Sequence, residues 1–147
     1  MNRCVSVWLL LLMVAGAPAV QAELTDSEAL QFMARFEAAL ASEDFAEVAP
    51  LIHPQAVFRF SEGDHSGMAD IRAAMERTWA YEVDDERYYL TDKRVLRSGK
   101  DTVTVLFTWN WSGNSAEHGA FEIVGRGTAQ LVRHEGAIKI LLEHLSR

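Results

Sequence analysis

The sequence predicts an α+β domain, in which a curved antiparallel or mixed sheet carries about three N-terminal helices on its concave face. Three observations support this. Apolar residues recur at helical spacing through the first half of the chain. Long runs that alternate apolar and polar residues fill the second half. Short clusters containing Gly and Asp, suited to hairpin turns, separate those runs.

Taken in order, residues 1–22 read as an export signal. Arg3 gives a positive start, and Val5 to Val14 form an apolar run too short for a membrane span. Val20-Gln21-Ala22 then offers the small residues a signal peptidase reads. The expected domain is 23–147, exported to the periplasm or the medium. Cys4 lies inside the leader, so the remaining chain is expected to hold no disulfide.

Thr25-x-x-Glu28 is a capping box that opens the first helix. Leu30, Phe32, Met33, Phe36, Ala39 and Leu40 give it a wide apolar stripe. Ser42-Glu43-Asp44 breaks that helix and caps a second, short one over Phe45 to Leu51. His53-Pro54 ends it, because proline pushes its predecessor away from helical angles. Ala56 to Ser61 reads as a strand and Glu62 to His65 as a turn. Gly67-x-x-Asp70 opens a third helix with Met68, Ile71, Met75 and Trp79 on one stripe. Strands follow at Arg87–Arg97, Thr102–Trp111, Gly119–Arg133 and Ile138–Leu145. Ser98 to Asp101 and His134 to Gly136 are hairpin turns, and Ser112 to His118 is a longer loop.

Alternation assigns the faces. Val103, Val105, Phe107, Trp109 and Trp111 point one way. Gly125, Gly127 and Ala129 form the small, apolar row of the next strand. On the last strand Ile138, Ile140, Leu142 and His144 share a face. Matching the rows puts His144 beside Trp109 on the helix-covered side, with the small residues leaving room for a cavity. The expected ligand pocket is Trp79, Tyr89, Phe107, Trp109 and His144. The bland alternative for each ring is plain core packing, and for His144 a bonded core histidine. His144 is also the candidate for acid–base chemistry, since imidazole titrates near neutrality. Glu143, its neighbour, is expected on the opposite face. Asp64 and His65 read as a solvated turn.

Composition narrows the partners. Losing Arg3 with the leader leaves 13 basic residues against 21 acidic ones and moves the formal charge from −7 to −8. No basic cluster appears, which argues against nucleic acid and against membrane binding beyond the leader. The histidines lack zinc-site spacing, and no Walker, dinucleotide or nucleophile-elbow motif is present, so neither metal nor cofactor is expected. Glu122, Arg126 and Gln130 on the outer sheet face suggest a surface through which a homodimer would form.

Several segments together resemble the SnoaL-like branch of the NTF2-like superfamily. These are the Asp44-Phe45 helix start, Ser66-Gly67-x-x-Asp70-Ile71-Arg72, Gly99-Lys100-Asp101, and Gly125-Arg126-Gly127-Thr128 through Glu143-His144-Leu145-Ser146. The C-terminal part is also similar to the association domain of calcium/calmodulin-dependent kinases. The resemblance implies a cone-shaped fold with a cavity. Members often carry Trp where Ile138 stands and a second His where Leu142 stands, which implies a more apolar pocket here. The Asp/Tyr set of ketosteroid isomerases and the Asp/His set of polyketide cyclases find no assigned positions in this chain.

Three functions follow as expectations. The first is an exported binder of a small hydrophobic or aromatic molecule. The second is an enzyme, an isomerase, cyclase or hydratase, using His144 on such a substrate. The third is an oligomerisation module whose cavity is filled by Met33, Phe36 and Trp79.

Overall fold

In the computed structural model, which describes residues 23–147, the capping box forms as expected. Thr25 Oγ1 accepts from the Glu28 backbone N–H at 3.2 Å, and the Glu28 carboxylate accepts from the Thr25 backbone N–H at 2.8 Å. Helix α1, Asp26–Ala41, starts there and buries Ala29, Phe32, Met33 and Phe36. Leu30 falls off the stripe and is 39% exposed. Asp44 caps α2, Phe45–Val48, by accepting from Ala46 N–H at 2.8 Å, and a 3-10 turn over Ala49–Leu51 finishes the second helical stretch. The expected leader, 1–22, lies outside the described residues.

Strand β1, Ile52–Phe60, begins four residues before the expected Ala56. Pro54 sits where the pairing of β1 slips between Ile52 and Val57, a place where a missing N–H breaks no ladder bond. The expected turn at Glu62–His65 is tighter than the sequence suggested. Gly63–Ser66 forms β2 and pairs straight back onto β1. Helix α3, Gly67–Trp79, buries Ile71, Ala74 and Met75. Four long strands follow: β3 Val83–Arg97, β4 Thr102–Ser115, β5 Gly119–His134 and β6 Ala137–Ser146. The β4–β5 ladder runs on to Ser115 and Gly119, so most of the expected 112–118 loop is strand.

The six strands make one open sheet in the order β2-β1-β6-β5-β4-β3. Neighbours are antiparallel except β1 and β6, which run parallel, so the sheet is mixed as expected. The core lies between this sheet and the helices, with Phe32, Phe36, Phe58, Val103, Val105 and Leu131 wholly buried. Each such side chain contributes about 1.5–3 kcal/mol relative to exposure. Pairing is interrupted in β3–β4 between Asp84 and Arg87 and between Thr91 and Arg94, and in β5–β6 between Gln130 and Leu131. Each interruption adds a residue to one strand and reverses which side chains face the helices.

Candidate functional site

The β5–β6 interruption decides the site. Leu131 pairs with Ile140, but Gln130 pairs with Leu142, so Leu141 is the extra residue of a bulge. Beyond it Ala129 stands opposite Glu143, and Thr128 stands opposite His144. Ala129 is wholly buried on the helix-covered face, and Glu143 beside it is 2% exposed. His144 is exposed on the outer face next to Arg59 of β1. The expectation of an inward His144 is therefore corrected. Strict alternation carried through the bulge gives the wrong parity, and the buried titratable group is Glu143.

The same effect moves the tyrosine. The β3 interruptions put Tyr88 opposite Trp111 on the inner face and Tyr89 opposite Asn110 on the outer one, where Tyr89 is 41% exposed. Tyr88, not Tyr89, faces the helices. Phe107 is 4% exposed and belongs to the core. The glycines do not open a void as expected. A Cβ at Gly127 would overlap the Phe107 ring, and one at Gly125 would overlap Trp109 and the Ser146 carbonyl. The rings of β4 already occupy the space that these glycines leave.

A hollow of about 370 Å³ lies at the end of the sheet where β1 and β6 finish. Its walls carry five rings, those of Phe60, Trp79, Tyr88, Trp109 and Trp111, with Leu40, Met75 and Leu145 between them. Helix α3 brings Met75 and Trp79, β1 brings Phe60, and β4 brings both Trp109 and Trp111. Of the expected pocket residues, Trp79 and Trp109 line the hollow, whereas Tyr89, Phe107 and His144 do not. Met33 and Phe36 lie in the core and leave the hollow unfilled.

The polar lining is mostly acidic: Glu43, Glu62, Glu86 and Glu143, with Arg147 as the one cationic side chain. Burial pushes the Glu143 carboxyl up to about 8. Burial, with Glu143 and then Glu37 adding to it, raises the Tyr88 phenol well above its ordinary value. Trp111 donates its indole N–H to Glu86. Burial, followed by hydrogen bonding to Glu86, raises the Glu43 carboxyl, since two carboxylates this close favour sharing a proton. Trp109 Nε1 is buried without a hydrogen-bond partner among the described residues. Buried polar groups are usually paired, so an orphan donor on a cavity wall is informative.

Asp64 is solvated as expected, with its side chain 52% exposed, whereas the His65 side chain is only 13% exposed. Asp64 accepts from Arg59 Nε at 2.8 Å, and the His65 ring lies 5.4 Å from that of Phe60. Among the described residues no group of three or more His, Cys, Asp or Glu side chains is arranged to hold a metal ion. Sequence reasoning missed Tyr88 and Glu143. The available signal was the apolar triplet Ile140-Leu141-Leu142, which breaks the alternation where the bulge falls.

Three helices packed on one face of an open, mixed six-stranded sheet define the NTF2-like class of α+β proteins. Within it, the chain belongs to the SnoaL-like domain family, whose profile matches residues 33–140. Solved structures agree on the fold. A nuclear transport factor 2-like superfamily protein from Salmonella enterica superposes with a TM-score of 0.72 at 16% identity, covering 82% of this chain and 88% of the other. A protein from Xanthomonas campestris, assigned as a calcium/calmodulin-dependent kinase II association domain, gives 0.69 at 15%, covering 86% and 94%. An NTF2-like family protein from Streptomyces avermitilis, assigned as a dehydratase, gives 0.70 at 17%, covering 82% and 93%. No curated protein matches the sequence.

Proposed function

We propose that this is an exported SnoaL-like protein that takes a small apolar or aromatic molecule into the ring-lined hollow. One observation carries the reading. A space of about 370 Å³, within the size range of small-molecule sites, is walled by five aromatic rings, with the buried Glu143 among its lining residues. Rings that only filled a core would close on one another. The inward histidine expected from the sequence plays no part in this reading, because Glu143 supplies the buried polar group instead. Export rests on the leader pattern at residues 1–22. Tyr89 and Val124, 41% and 53% exposed, are apolar surface through which a homodimer could pair.

Tryptophan emission gives the test. Trp79, Trp109 and Trp111 all border the hollow, so 2-phenylethanol, which does not emit in the tryptophan window, should quench their emission saturably. Trp109→Ala should weaken binding at least tenfold, equivalent to about 1.4 kcal/mol. Absence of saturable quenching by any small hydrophobic probe, or affinity unmoved by Trp109→Ala, would discard the site.

A second reading, an isomerase or hydratase, draws on Glu143. A carboxyl that titrates near neutrality inside an apolar hollow can give or take a proton. The dehydratase assignment of the Streptomyces neighbour is a likeness of fold at 17% identity and adds only a reaction class to try first. Turnover lost in a Glu143→Gln variant that still binds the substrate supports the enzyme. Equal turnover in both proteins sinks it.

A further inference from the structure

Building on the small-molecule reading above, we propose that the hollow takes a hydrophobic amine, an organic cation whose ammonium nitrogen sits among the rings against Glu143. The lining sets four carboxylates against one cationic side chain. A neutral apolar guest needs none of those carboxyls, and an anion is repelled by every one that is ionised and ionises none of the rest. The faces of Trp and Tyr rings carry negative potential and attract a cation, most strongly where water is excluded. Rings and carboxylates around one space suit an ammonium group better than any other simple charge.

Acidic groups at a wet mouth would carry little weight alone. Glu143 is different, since it is 2% exposed and no described side chain donates a hydrogen bond to it. A carboxyl buried in that state lacks the partner that normally offsets its desolvation. Trp109 lines the same hollow. Its Nε1 is a buried donor with no acceptor. Trp109 pairs with Gly125 and Glu143 pairs with Ala129, so their backbone positions lie four residues apart along β5. That is roughly 13 Å at about 3.3 Å per residue. The Trp109 N–H is itself sealed from solvent, so the guest is defined by Glu143 and the rings: an amine at one end and an apolar body.

The titratable groups around Glu143 are Tyr88 and Glu86 from β3, Glu43 after α1, Glu62 from the β1–β2 turn, and Arg147 beyond β6. Glu37 on α1 acts on Tyr88, and α3 presents no titratable side chain to the hollow. With the hollow empty, burial keeps Glu143 largely protonated at neutral pH. A bound cation favours the carboxylate and expels the proton to solvent. Affinity for a permanent cation therefore rises with pH up to about 8 and levels off above it.

Three matched probes test this: benzyltrimethylammonium, the neutral neopentylbenzene and the anionic 3-phenylpropionate. Each is titrated by tryptophan emission, and the cation also by calorimetry at pH 7 in phosphate and in Tris. The cation should bind at least tenfold tighter than the neutral probe, with about one proton released per site. The quaternary nitrogen has no proton to lose, so the release reports on the protein. Glu143→Gln should abolish the release and most of the cation preference. If the variant fails to fold, the two-buffer measurement on the unaltered protein still decides. Neutral and cationic probes binding alike, or cation binding without proton release, overturns the amine while leaving the small-molecule reading intact. No binding by any of the three overturns both.

Discussion

His53 Nε2 lies 3.2 Å from His134 Nδ1, joining two residues 81 positions apart at the end of the sheet away from the hollow. His53 Nδ1 accepts from the Gln55 backbone N–H at 3.1 Å, which assigns its proton to Nε2 and makes that atom the donor to His134. Charging His53 would remove the Nδ1 acceptor and place a cation near Lys139. Burial, then His134, then Lys139 lower its pKa accordingly.

A stability change on acidification follows. The depressed value means that the unfolded chain takes up a proton at a pH where the folded chain does not. The contribution is thus fully present above about 6.5 and is lost as pH falls below it. Urea midpoints measured from pH 7.5 to 5.0 should show this loss in the native protein and a flatter profile in His53→Gln. Parallel profiles would remove the histidine pair from the account.

Glu143 acts with the opposite sign. Its carboxyl is raised from 4.5 to about 8 in the fold, so between those values the folded chain holds the extra proton. Its influence on stability is most favourable below 4.5 and declines as pH rises to about 8, by at most about 1.4 kcal/mol per pH unit. Glu143→Gln keeps the shape and removes the titration. The variant's melting temperature should equal or trail the native one near pH 5 and exceed it at pH 8. A crossing in the other direction, or no difference at pH 8, contradicts a carboxyl buried without a partner. A gain in stability on deleting the group is expected where a buried polar side chain is kept for binding or chemistry.

The fold was legible because its elements use local rules. Thr25 and Glu28 mark a helix start wherever they occur, and Val103 to Trp111 alternate without interruption, so α1 and β4 could be read directly. Tyr88, Glu143 and the outward His144 were illegible for a shared reason. Each lies past a bulge, and one inserted residue exchanges inside for outside along the rest of a strand. The bulges themselves come from packing between neighbouring strands, and only the apolar triplet at Ile140–Leu142 hints at one. The glycines misled in a related way. Gly125 and Gly127 looked like vacant space, but the rings of Trp109 and Phe107 on β4 lie over them.

The start of α1 offers the last prediction. Glu28 closes the capping box with Thr25 and also accepts from Arg133 of β5 at 2.7 Å, tying the helix to the sheet 105 residues on. The hydrogen bond from the Thr25 backbone comes first, and the Arg133 side chain next, in lowering the Glu28 carboxyl to about 2. Because this value is depressed, its contribution is present above 4.5 and is lost as pH falls towards 2. Thr25→Ala removes the cap alone and should cost about 1 kcal/mol. Glu28→Ala removes the cap and the tie together, so its urea midpoint should fall further than that of Thr25→Ala at pH 7. At pH 2.5 the gap between the two variants should shrink, because below 4.5 the unfolded Thr25→Ala chain takes up a proton on Glu28 that its folded form resists, which cancels most of what the tie contributes. Equal midpoints for the two variants at pH 7 would mean that the Arg133 contact adds nothing to the cap.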